Sequence, residues 1–114
     1  MVWYPAARDV INLHAIAMTE TGYAPRVLIR AEGLESAVLR PQAYAAYEGL
    51  DLAGQAVHLA IGIAHAHAFE DGNKRASFMV MEFFLARNGL MIDSDDETAG
   101  VLLLDVFRAE QGSI

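Results

Sequence analysis

The sequence predicts an all-α fold, a helical bundle with a short β-prone flap, on three observations. Twenty of the 114 residues are alanine and only three are proline, and alanine enters a helix at no side-chain entropy cost. Apolar residues recur at three- and four-residue spacing between punctuating prolines and glycines. The apolar share is 54% at this length, enough for one core, which predicts a single domain spanning residues 1–114.

Each element follows in chain order. Pro5 suits a first helical position, and Val10, Leu13, Ile16 and Ala17 carry a helical pattern from Ala6 to about Thr19, with Gly22 as a stop. Between Gly22 and Gly33 the run Val27-Leu28-Ile29, flanked by Pro25 and two arginines, is β-prone but too short for a core sheet. It reads as an exposed hairpin or extended flap. Leu34 to Leu39 fits a short helix closed by Pro41, and Ala43 to Tyr47 fits a further turn. From Asp51, an N-cap, a helix runs to about His65 with apolar residues around nearly its whole circumference, so it is central. Asp71-Gly72 breaks the pattern. Asn73 to about Asn88 forms a second very apolar helix, with Met79, Val80, Phe83 and Phe84 on buried faces and Gly89 as the C-cap. Ser94-Asp95-Asp96-Glu97 matches a capping box opening a last helix to about Glu110.

Composition excludes several functions. Without cysteine there is no disulfide scaffold, thiolate metal site or cysteine nucleophile. Fifteen acids against eight cations, a formal charge of −7, argue against nucleic acid as a partner, because such binding rests on cationic phosphate contacts. The start from Met1 to Asp9 lacks the pattern of a secretory signal, and the longest apolar tract, Ala56 to Phe69, is shorter than a membrane span and carries three histidines. A cytoplasmic location without membrane contact is expected. Lys74 is the only lysine in the chain.

The segment from His67 to Arg75 places polar residues where a bundle otherwise wants apolar ones. Gly72 and Asn73 opening a helix form a ready phosphate site, since helix N-terminal amides lack internal partners and carry partial positive charge. Lys74 and Arg75 in the first turn are disfavoured by the dipole, by a few tenths to about 1 kcal/mol each, unless an anion sits between them and the amides. Histidine exchanges protons near neutral pH, so His67 can take one from an attacking hydroxyl. Asp71 can hold a magnesium ion, which commonly binds one or two carboxylates together with nucleotide phosphates. Taken singly, each residue has an ordinary structural explanation: a histidine ending a helix, an Asp-Gly turn, a solvated cation pair. Together they point to transfer of a phosphate-containing group to a hydroxyl.

The nine residues His67-Ala68-Phe69-Glu70-Asp71-Gly72-Asn73-Lys74-Arg75 resemble the core motif of the Fic/Doc superfamily. Ala46-Tyr47-Glu48-Gly49 and Phe84-Leu85-Ala86-Arg87-Asn88-Gly89 further resemble the death-on-curing (Doc) toxins. The resemblance implies a Fic-fold bundle, His67 as general base, Asp71 as a magnesium-associated carboxylate, and Gly72, Asn73, Lys74 and Arg75 around the phosphates of ATP. Superfamily members that transfer AMP have glycine at the position of Lys74 and a second arginine at the position of Phe78. Both departures resemble Doc, which implies transfer of the γ-phosphoryl group of ATP to a Ser or Thr of a protein target. In the founding case that target is the translation factor elongation factor Tu. His65, Ala66 and Met79 depart from residues common in the family. The inhibitory Ser/Thr-x-x-x-Glu-Gly/Asn pattern is not met by Glu32-Gly33 or Glu48-Gly49, which have Leu28 and Tyr44 at the hydroxyl position. Resemblance to Doc implies instead a separate antitoxin protein whose C-terminal segment folds onto the toxin, and Val27, Leu28 and Ile29 as a docking edge for the target chain. The alternatives are an AMP transferase and an inactive Fic-fold binding module. A metal-dependent phosphohydrolase on His58, His65, His67 and Asp71 is disfavoured, because histidines at i, i+2 face opposite sides of a helix.

Overall fold

The first helix is set by a half capping box. The Asp9 carboxylate accepts the Ala6 N–H (2.8 Å), three residues back, which places the helix start at Ala7 and leaves Pro5 buried just outside it. The computed structural model describes residues 1–20, 22 and 30–90. These form four helices: α1 (Ala7–Glu20), α2 (Ala31–Glu48), α3 (Leu52–Ala66) and α4 (Asn73–Arg87). The predicted flap at Val27, Leu28 and Ile29 and the predicted last helix after Ser94 lie outside the described residues. No helix among the described residues is long and apolar enough to cross a membrane.

Helix α1 stops at Gly22 as expected, with φ +82° and an N–H to the Thr19 carbonyl (3.1 Å). Its buried face differs from the predicted one. Val10, His14, Ala17 and Met18 are buried, whereas Leu13 is only half-buried and Ile16 is 49% exposed. The stripe is therefore rotated, and it carries a histidine.

Helix α2 corrects the sequence reading. Pro41 does not close it; one helix runs through the proline to Glu48 and ends at Gly49 in the left-handed region (φ +66°). Proline inside a helix costs roughly 3 kcal/mol through a lost hydrogen bond and a steric clash. Leu34, Ala37, Val38 and Pro41 are all buried and spaced i, i+3, i+4, i+7. Burying the leucine and valine alone contributes about 1.5–3 kcal/mol each, so packing of this stripe outweighs the local penalty.

Asp51 caps α3 as predicted, its carboxylate accepting the Gly54 N–H (2.8 Å). Six consecutive residues, Leu59 to Ala64, are buried, so α3 is covered on every side, packing against both α2 and α4. Gly62 permits this closeness: a Cβ there would stand 3.3 Å from the Ala37 Cβ on α2. Helix α4 buries Val80, Met81, Phe84 and Leu85 in the same core, whereas Met79 and Phe83 of the predicted face are only half-buried. It ends at Asn88 in a Schellman turn, with Gly89 N–H bonded to Ala86 and Leu90 N–H to Leu85, so Gly89 is the left-handed residue after the cap. The Asn88 side chain also binds the Trp3 main chain at both N–H and carbonyl, tying the N-terminal segment to the end of α4.

Candidate active site

The connection between α3 and α4 is six residues, His67 to Gly72, and it bends sharply at both ends. His67 adopts the left-handed conformation (φ +46°, ψ +44°) and is the only non-glycine residue with positive φ among the described residues. Left-handed backbone costs an L-residue roughly 1–2 kcal/mol, and such strain clusters at functional sites. Gly72 closes the connection, again left-handed (φ +80°). There glycine is required twice over: a Cβ would lie 2.5 Å from Met18 Sδ and 3.2 Å from His14 Nε2.

Between these bends the loop is anchored and then braced. Ala68 and Phe69 are buried, and Phe69 stacks on the His14 ring at 3.7 Å with planes 5° apart. Arg30 N–H, at the start of α2, donates to the Ala68 carbonyl (3.1 Å). The Asn73 side chain reaches back to Phe69, accepting its N–H (3.1 Å) and donating to its carbonyl (2.9 Å). The Asn73 amide group is thus committed to the loop, and its backbone N–H is what it offers at the helix end. Glu70 and Asp71 stand exposed between the anchors; one Asp71 carboxylate oxygen accepts the Gly72 N–H (2.8 Å).

The start of α4 has no side-chain cap. Its first internal bond runs from Ala76 N–H to the Gly72 carbonyl (2.9 Å), so the amides of Asn73, Lys74 and Arg75 have no acceptor within the helix. Lys74 and Arg75 are exposed in this same turn, and their side chains make no ion pair among the described residues. Three amides without an acceptor inside the helix, a dipole end and two cations that make no ion pair among the described residues therefore converge at this helix start.

These residues share one cleft of about 510 Å³, whose lining includes His67, Asp71, Gly72, Asn73, Lys74 and Arg75 together with Glu70 and Met18. Every catalytic, metal and phosphate candidate of the sequence reading is brought together here. Among the described residues no three His, Asp or Glu side chains converge to hold a metal ion. Magnesium is usually held by only one or two carboxylates, with water and substrate phosphates completing its shell. His65, two residues before His67, lines a second cleft between α2 and α3 with Arg40 and Tyr44, while His58 stacks on Tyr44 (4.1 Å). The three histidines of the phosphohydrolase alternative are thus divided between different surroundings.

Sequence reasoning missed His14 and Met18. His14 is 2% exposed, and its Nε2–H donates to the Asp71 carbonyl (2.7 Å). The available signal was a polar residue at the helical spacing of Val10 and Ala17.

An uncapped, cation-flanked helix start beside a histidine, carried on an all-helical bundle, is an arrangement suited to a phosphate-containing group. The model of the Fic/DOC family matches residues 4–85, and the chain belongs to that family. Its members generally transfer nucleotide or phosphate groups. No curated protein matches the chain.

Proposed function

We propose that this chain is a Doc-type toxin that transfers the γ-phosphoryl group of ATP to a Ser or Thr hydroxyl of a protein such as a translation elongation factor. The reading is carried by Lys74, the only lysine of the chain, standing beside Arg75 in the uncapped first turn of α4. Phe78 adds support. At the position where AMP-transferring relatives have a second arginine, this chain has a half-buried ring packed against the core, which offers nothing to a further phosphate.

The residues divide the work as follows. The amides of Asn73, Lys74 and Arg75 and the two side-chain cations bind the polyphosphate, and Gly72 lets it approach the backbone. Asp71, exposed at the cleft rim with lone pairs remaining on its carboxylate, holds magnesium. Bound Mg·ATP supplies the electrophilic γ-phosphorus and the neutralisation of charge that phosphoryl transfer requires. His67, exposed at the same cleft, takes the proton of the incoming hydroxyl. A separate antitoxin protein restrains the activity, and the segment at Val27, Leu28 and Ile29 guides the target chain.

Incubation with cell extract and ATP labelled at either the α- or the γ-phosphate, beside a His67→Ala control, tests the proposal. His67-dependent label from the γ-position alone is expected. Label from the α-position overturns it in favour of AMP transfer, and absence of His67-dependent label leaves a Fic-fold binding module.

A further inference from the structure

Besides the Arg30 bond to the Ala68 carbonyl, the phosphate loop is held in two ways that differ in kind. The Asn73 to Phe69 pair of hydrogen bonds closes the loop upon itself. That closure fixes the shape of residues 69–73 but not their place on the bundle. The hydrogen bond from His14 comes from outside the loop and grips the Asp71 carbonyl itself, next to Gly72 and directly before the orphan amides of α4. The same imidazole stacks face to face on Phe69, the first residue of the closed loop. His14 therefore touches the loop at its start and at its middle and joins it to α1.

A histidine is an expensive choice for this position. Its neighbours on the buried stripe of α1 are Val10, Ala17 and Met18, all at most 1% exposed. An apolar side chain of similar volume would meet the packing without the desolvation cost of a ring nitrogen. What an apolar ring cannot do is donate to the Asp71 carbonyl. A carbonyl acceptor also fixes the role of Nε2, which must carry the proton.

We propose that His14 is a positioning residue for the phosphate and magnesium loop: through Asp71 and Phe69 it sets where the Asp71 carboxylate and the amides of Asn73, Lys74 and Arg75 stand relative to one another. This inference rests on the nucleotide reading of the cleft. Outer partners that orient a metal-bearing carboxylate commonly change metal affinity by about 10- to 100-fold when removed, and His14 stands one residue's main chain away from that role.

The two functions of the ring can be separated. His14→Phe keeps a flat ring for Phe69 and removes the donor. His14→Gln gives up the stack and keeps an amide N–H at about the reach of Nε2. Val10→Ala, one turn earlier on the same buried stripe, serves as a control for destabilisation of α1 alone. Binding of fluorescently labelled ATP to the full chain is titrated against Mg²⁺ for each variant, with thermal melts alongside. The expected result is that His14→Phe needs about tenfold more Mg²⁺ for half-maximal binding, while His14→Gln and Val10→Ala stay near wild type. Should His14→Phe not fold, His14→Asn, whose amide is too short to reach the Asp71 carbonyl, must show the same loss. Wild-type Mg²⁺ dependence in His14→Phe, or an equal loss in Val10→Ala, overturns the positioning role while leaving the nucleotide reading intact. Absence of ATP binding by the wild type at any Mg²⁺ concentration overturns the nucleotide reading and this inference with it.

Discussion

Helices α3 and α4 have the same length, fifteen residues each, and lie against one another, yet they begin in opposite ways. Asp51 opens α3 with an extended backbone and a carboxylate that accepts the Gly54 N–H, so an acid meets the positive end of the dipole. Gly72 opens α4 with a left-handed backbone and no side chain, and Lys74 and Arg75 follow where an acid would be favoured. One start satisfies itself. The other leaves its first amides without an acceptor inside the helix and its two cations without an ion pair among the described residues. The contrast separates a helix end that caps itself from one that, on the proposed reading, meets a ligand, and four substitutions probe it.

The largest expected effect is at the residue facing the uncapped start. His67→Ala lowers transfer to protein by about 10²- to 10⁴-fold, read as initial rate with labelled ATP, with ATP affinity held. Retained transfer would remove His67 from the role of base. Next comes Gly72→Ala, whose new methyl meets Met18 and His14 at a left-handed backbone. It lowers folding stability by about 2–4 kcal/mol, measured by urea titration, and ATP binding falls with it. Asp51→Ala, at the self-satisfied end, costs about 1 kcal/mol of stability and leaves ATP affinity unchanged; a fall in affinity would erase the distinction between the two ends. The smallest effect is the most telling in sign. Lys74→Gln stabilises the ligand-free chain by about 0.3–1 kcal/mol by relieving the dipole, yet binds ATP more weakly. The order of melting temperatures of Lys74→Gln and wild type therefore reverses when saturating ATP is added. Identical ordering with and without ATP would mean that Lys74 does not meet phosphate.

Legibility in the sequence followed the range of the physics involved. Helices α3 and α4 were readable because a capping aspartate, a terminal glycine and apolar residues around the circumference act within a few positions. The candidate site segment was legible because a histidine, a carboxylate, a glycine and two cations fall within nine consecutive residues. Pro41 misled for the converse reason. Its penalty is local, whereas the burial that overrides it belongs to the packing of α2 on α3. The face of α1 was likewise misplaced, since Leu13 and Ile16 fit a helical stripe as well as His14 and Met18 do, and only the position of α4 decides which stripe is covered.

The sequence by itself determined that the chain is helical, where its central helices begin and end, and which residues carry the candidate chemistry. Tertiary structure alone decided how those residues are held. The Asn73 side chain turned out to brace the loop, His67 to take a left-handed backbone, and Gly72 to be hemmed in by Met18 and His14. The hydrogen bond from His14 to Asp71 spans 57 positions. No periodicity or spacing rule operates over that distance, because such rules describe neighbours along one helix, and the contact exists only once burial has packed α1 against α4.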